Sequence, residues 1–166
     1  MRFENLLKVA ASGVVALLIV TPALAAQQKK QAASQVSKPL AAVKKPHRLV
    51  LQVNTNEPAI MNLALNNATN VAQYYKDRGE NVSIEIVTFG PGLHMLRDDS
   101  SPVKARIETM ALSTPEVSFK ACGNTQENMK KAEKKDIPII PQAQVVESGV
   151  VRVMELQEQG WTYVKP

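Results

Sequence analysis

One cysteine, two histidines and seven aromatic residues (three Phe, three Tyr, one Trp) are scarce material for a chain of 166 residues. A single cysteine cannot close an internal disulfide, so Cys122 is a free thiol, a reactive thiol, or one paired with another molecule. His47 and His94 are too few to build a histidine metal site, and neither a metal nor a cofactor is expected. Cys-x-x-Cys, Gly-x-Ser-x-Gly and Walker patterns are all missing, which leaves dithiol exchange, serine-hydrolase chemistry and nucleotide hydrolysis without support. The apolar run from Val9 to Val20 is shorter than the about 20 residues that span a hydrocarbon core.

Positive charge is missing where it would matter for nucleic acid. The whole chain carries +5. Lys29, Lys30, Lys38, Lys44 and Lys45 supply +5, and Arg2 and Lys8 less Glu4 supply +1, which leaves residues 48–166 at −1. The high isoelectric point therefore belongs to the N-terminal segment. A folded domain without clustered basic residues or stacking aromatics is not expected to bind nucleic acid.

What is present begins with a leader pattern: Arg2 and Lys8, the apolar run, then Pro22 and Ala23-Leu24-Ala25. This predicts a signal peptide over residues 1–25, cleaved near Ala25, and an exported protein, periplasmic or secreted, with no integral membrane span after cleavage. An uncleaved N-terminal anchor is the alternative. Residues 26–47 are rich in Ala, Gln, Lys and Ser and hold no acid and no aromatic residue, the composition of a flexible tail.

Residues 48–166 read as one domain of alternating strands and helices. "RLVLQV" predicts a strand, followed by a helix capped by Asn56 with Ile60, Ala64, Ala68, Ala72 and Tyr75 inward and Gly79 at its end. "NVSIEIVTFG" predicts a second strand with one less covered face, broken by Gly90, Pro91 and Gly92. A helix over residues 102–112 is capped by Ser101, with Val103, Ile107 and Met110 or Ala111 inward. "EVSFKAC" is a third strand and "NTQENMKKAEKK" a third helix. "IPIIPQAQVV" gives a fourth strand whose later part alone enters a ladder, because Pro141 lacks an N–H. A last helix over residues 149–159 turns Val150, Val153, Met154 and Gln157 inward, and "WTYVKP" closes as a short strand. Such alternation implies an α/β fold with a mostly parallel five-stranded sheet covered on both faces.

In such sheets the ligand crevice lies beyond the carboxyl ends of the strands. Cys122 ends the third strand there, and Gly123 turns the chain into the helix. The N–H groups of Gly123, Asn124 and Thr125 would be unpaired helix-start donors close to the sulfur, an environment that favours the thiolate. Lys120 adds charge if its side chain reaches the same edge. The competing reading makes Cys122 a small hydrophobe at the end of an apolar strand. Gly90 and Gly92 would offer backbone N–H groups to an anion or merely form a tight turn, His94 would serve as acid or base if it faces Cys122, and Asn54 would line the crevice.

"HRLVLQVNTNEPAIMNLALNNATNVAQYY", "VTFGPGLHML" and above all "FKACGNT" resemble the DsrE/DsrF-like family, in a shared order from His47 to the C-terminus. The resemblance implies a small three-layer α/β/α fold and subunits that assemble as homo- or hetero-oligomers, trimers or hexamers. It implies a persulfide-carrying cysteine, which maps onto Cys122, with Gly90 to Gly92 in a loop close to it, and a thiol or sulfur-oxidation protein as partner. The relay members of that family are cytoplasmic and work in multi-subunit sets, whereas this chain carries a leader and a lysine-rich segment. Three functions follow: a sulfur carrier, a non-catalytic oligomeric module binding a small ligand or a protein, and a thiol enzyme that would need a resolving cysteine from a partner.

Overall fold

The computed structural model describes residues 46–166; the leader, and all of the expected tail up to residue 45, lie outside the described residues. Five strands form one sheet: β1 (His47–Val53), β2 (Val82–Thr88), β3 (Val117–Cys122), β4 (Ala143–Val146) and β5 (Thr162–Val164). Every pairing is parallel and the order is β4-β3-β2-β1-β5. Between them run α1 (Pro58–Lys76), a 3-10 helix (Gly90–Leu96), α2 (Lys104–Ser113), α3 (Gly123–Glu133) and α4 (Gly149–Glu158).

The strand order decides where the helices lie. From β1 to β4 the chain steps in one direction, and right-handed crossovers then put α1, α2 and α3 on the same face. The step from β4 to β5 runs the other way and carries α4 to the opposite face. The packing agrees. Leu51, Ile86, Phe119 and Ala121 of the sheet share one large core with Met61 and Leu65 of α1, Leu93 and Leu96 of the 3-10 helix, and Ile107 of α2. Val50 and Val87 form a small second core with Val153 and Leu156 of α4, flanked by Phe89 and Trp161. The fold is a three-layer α/β/α sandwich with one crowded face and one face covered by a single helix.

Several local expectations are corrected. Asn56 does not cap α1: the capping position is Glu57, with no side-chain hydrogen bond. Pro58 occupies the first helical position without an N–H to satisfy, and the Glu57 carbonyl accepts from Ile60 and Met61. The inward stripe of α1 is Met61, Ala64, Leu65, Ala68 and Ala72, with Ile60 and Tyr75 at its margins. Ser101 does not cap α2, which starts at Lys104; its hydroxyl donates to the Met95 carbonyl at 2.6 Å and accepts from Val103 N–H at 3.3 Å, closing a turn instead. Ile107 and Met110 are buried as expected, while Ala111 is exposed. The Gly-Pro-Gly segment is a 3-10 helix, not a loop. Glu85 of β2 is buried under α4, where Arg152 neutralises it.

The largest correction concerns α4. Val150 and Met154, expected inside, are 53% and 55% exposed, and the inward line is Gly149, Val153 and Leu156. The cause is Gly149, which has no side chain to mark the buried face. A Cβ there would lie 2.9 Å from Phe89 Cδ1 and 3.2 Å from Cys122 Cβ, so α4 approaches the sheet at a place only glycine permits. Among the described residues no helix is long and apolar enough to cross a membrane.

Candidate functional site

Alternation along β3 sends Val117, Phe119 and Ala121 into the large core. Ser118, Lys120 and Cys122 therefore face the α4 side. Lys120 Nζ donates to Gln144 Oε1 of β4, its partner in register, and so spends its charge there rather than on the sulfur. Cys122 pairs with Val146 at the end of the ladder and keeps an extended backbone (φ −73°, ψ 115°) while α3 starts at the next residue. It thereby occupies the N-cap of α3, where an acceptor side chain normally meets unpaired N–H groups. Its sulfur takes that part, accepting from Thr125 N–H at 3.4 Å.

A second helix start lies beside it. Gly149, first residue of α4, packs against the Cβ of Cys122, and its backbone N–H helps to lower the thiol. Burial pushes the Cys122 thiol up, since only 4% of the residue is exposed. The Thr125 side chain and the N–H groups of Gly149, Thr125 and Asn124 push it down by more, and the net position is below the ordinary thiol value. The Asn124 N–H also donates to the Glu147 carbonyl at 3.1 Å. Cys122 is thus buried, yet its sulfur meets the start of α3 and lies beside the start of α4, a setting that lowers the thiol.

Thr125 links this pocket to the 3-10 helix. Its hydroxyl oxygen accepts the Gly90 N–H at 2.9 Å, which leaves the hydroxyl proton for the sulfur and takes the Gly90 N–H away from any anion. The Gly92 N–H is likewise taken, donating to the Phe89 carbonyl at 3.2 Å, and a Cβ at Gly92 would run into the Val53 carbonyl oxygen, because the 3-10 helix crosses the end of β1 in close contact. His94 turns its Nδ1 to Ser100 Oγ at 3.2 Å rather than to Cys122. It lines, with Asn56, Gly90, Pro91, Thr125 and Asn128, a groove of about 430 Å³ on the far side of Thr125. Asn54 is half-buried just beyond β1, its backbone beside Gly92. The fold therefore gathers Cys122, Gly123, Asn124, Thr125 and Gly90, and leaves His94 and Asn54 outside the sulfur's contacts.

A larger groove, of about 870 Å³, lies on the β5 side between His47, Leu49, Tyr74, Tyr75 and Val164, and none of the expected site residues lines it. Among the described residues no three His, Cys, Asp or Glu side chains gather as metal ligands would. Gly149 is the functional residue that sequence periodicity hides. Its signal is positional: Gly149 opens a helix shortly after the fourth strand as Gly123 does after the third, and neighbouring parallel strands start their helices at one edge.

No family model matches the chain, and no curated protein matches it. Among solved structures it is similar to MTH1491 of Methanobacterium thermoautotrophicum, described as a protein of unknown function. The two are 28% identical, with a TM-score of 0.60 over 72% of this chain and 99% of that one.

Proposed function

We propose that this protein is an exported sulfur carrier of the DsrE/DsrF type, in which Cys122 holds sulfane sulfur as a persulfide and passes it to a partner thiol or a sulfur-oxidation enzyme. The observation that carries the reading is the sulfur's position at the N-cap of α3, where it accepts from Thr125 N–H, with Gly149 at the start of α4 packed beside it. Such a setting favours the thiolate, which is the nucleophile. The step balances without an added oxidant. The Cys122 thiolate attacks the outer sulfur of thiosulfate, the new S–S bond forms as the old one breaks, and sulfite leaves with the electron pair. A persulfide donor reacts in the same way and leaves as its thiolate.

Depth constrains the donor. At 4% exposure Cys122 admits small reagents before bulky ones, so inorganic sulfane compounds fit better than a protein persulfide unless α4 shifts. The proposed homo-oligomer, trimer or hexamer, has support from exposed apolar residues near the site: Val145, Val150, Val151 and Met154. Periplasmic or secreted localisation rests on the leader pattern alone.

Incubation with polysulfide or thiosulfate, followed by intact mass measurement, tests the carrier. The wild-type protein is expected to gain whole sulfur atoms and Cys122→Ser to gain none, with secondary structure and oligomer size unchanged in the variant. Equal adducts on both proteins would sink the assignment. The burial of Cys122 favours a second reading, a non-catalytic binding module with a structural cysteine. On that reading the thiol is modified only after unfolding.

A further inference from the structure

The small core under α4 is made of four buried apolar residues, Val50, Val87, Val153 and Leu156. Apolar contact is non-directional and sets the distance of a helix from a sheet better than its register along it. Across the same interface runs a fork. Arg152 of α4 donates from Nε to Glu85 Oε2 at 3.0 Å and from Nη2 to Oε1 at 2.6 Å. Glu85 is 7% exposed and sits in β2, the central strand of the sheet. Two parallel N–H to carboxylate bonds fix both position and orientation. A buried pair of this kind adds little stability over an apolar pair of similar volume, so register is what it contributes.

Arg152 lies one turn beyond Gly149, and its own N–H donates to the Ser148 carbonyl at 3.0 Å, closing the first turn of α4. Phe89, four residues after Glu85 on the same strand line, packs on Gly149. The first turn is thus held to β2 at two points, and Gly149 is seated against Cys122 as a result. We infer that the Glu85–Arg152 fork is a positioning pair for Cys122: it sets the register of α4 so that the start of the helix stays seated against Cys122. The inference rests on the carrier reading for its purpose but has its own test.

The other charged groups near this edge are Lys120 on β3, occupied by Gln144, Glu147 before α4, and Glu155, whose carboxylate lies 3.8 Å from Arg152 Nη1. None of them changes in the two variants that separate positioning from plain charge. Arg152→Lys keeps the cation and loses the fork; its side chain is 28% exposed, which makes it the milder change. Glu85→Gln removes a negative charge, so electrostatics alone would shift the thiol down, whereas a displaced Gly149 N–H shifts it up.

The experiment is the rate of iodoacetamide alkylation against pH at constant ionic strength, on full-length wild type, Arg152→Lys and Glu85→Gln, each with native far-UV circular dichroism. The expected result is a midpoint raised by about half a pH unit or more in both variants, roughly a threefold loss of rate at pH below the midpoint. A depressed wild-type midpoint with Arg152→Lys unchanged and Glu85→Gln unchanged or lower overturns the inference and leaves the carrier standing. A wild-type midpoint at the ordinary thiol value overturns both. If Glu85→Gln does not fold, Arg152→Lys alone decides.

Discussion

Thr125 and Gly149 are the two residues that join Cys122 to the helix starts. Thr125→Val removes the hydroxyl and keeps the N–H. The thiol midpoint is expected to rise in this variant, measured by alkylation against pH, while the loss of the Gly90 contact lowers the melting temperature slightly. Gly149→Ala forces a Cβ to within 2.9 Å of Phe89 and 3.2 Å of Cys122, and overpacking of that kind costs about 1–3 kcal/mol. Urea unfolding checks it; a change below a few tenths of a kcal/mol would mean that α4 does not press on the site. Cys122 and its turn are legible in the sequence, because an apolar strand that ends in Cys-Gly and is followed by a polar helix carries both periods. Gly149 is not, since a residue without a side chain leaves no mark in an apolar pattern. Asn56 and Ser101 mislead for a related reason: both are good caps, but Pro58 needs no donor satisfied and the Ser101 hydroxyl finds the Met95 carbonyl first.

At the scale of elements, the end of the 3-10 helix is tied to α3 by Arg97. Its side chain is 3% exposed and holds both Asp99 and Glu133, while Lys135 closes the ring to Asp99 at 3.1 Å. Hydrogen bonds from Arg97 hold the Asp99 carboxyl well below the usual carboxylate range, against the upward push of burial. A carboxyl depressed in the folded state contributes stability that is present above its unfolded value of about 3.9 and is lost as pH falls toward the folded one. The melting temperature should therefore begin to fall below about pH 5 and fall most steeply below about pH 4, and Asp99→Asn should be destabilised by about 1–3 kcal/mol at pH 7 with the gap narrowing in acid. A gap that is constant with pH would show that the ion pair contributes nothing. Strand and helix existence is legible at this scale from periods of two and 3.6. The start of α2 and the 3-10 helix are not, because they answer to Ser101, Arg97 and the antiparallel bridge from Arg97 to Ile139, contacts distant in the chain.

At the scale of the whole molecule, one face of the sheet carries three helices and the other carries one. Alternation along the chain announces a parallel sheet covered on both faces, but not how unequally, since the strand order depends on where each crossover returns. The lightly covered side presents Val150, Val151 and Met154 of α4 to solvent. If these form the proposed interface between copies, Val150→Asp with Met154→Asp should reduce the oligomer to smaller species in light scattering while leaving far-UV circular dichroism unchanged. An unaltered particle mass would put the interface elsewhere.

Cys122, a residue only 4% exposed, is held to titrate its sulfur below the ordinary thiol value, because the start of α3 donates to that sulfur and the start of α4 packs beside it. The direct measurement is the titration of that sulfur in the native protein, read from its ultraviolet thiolate absorbance against pH with Cys122→Ser as blank. The account predicts a midpoint below the free thiol value of about 8.5. A midpoint at or above that value, or a thiolate signal that develops only as the protein unfolds, would contradict it.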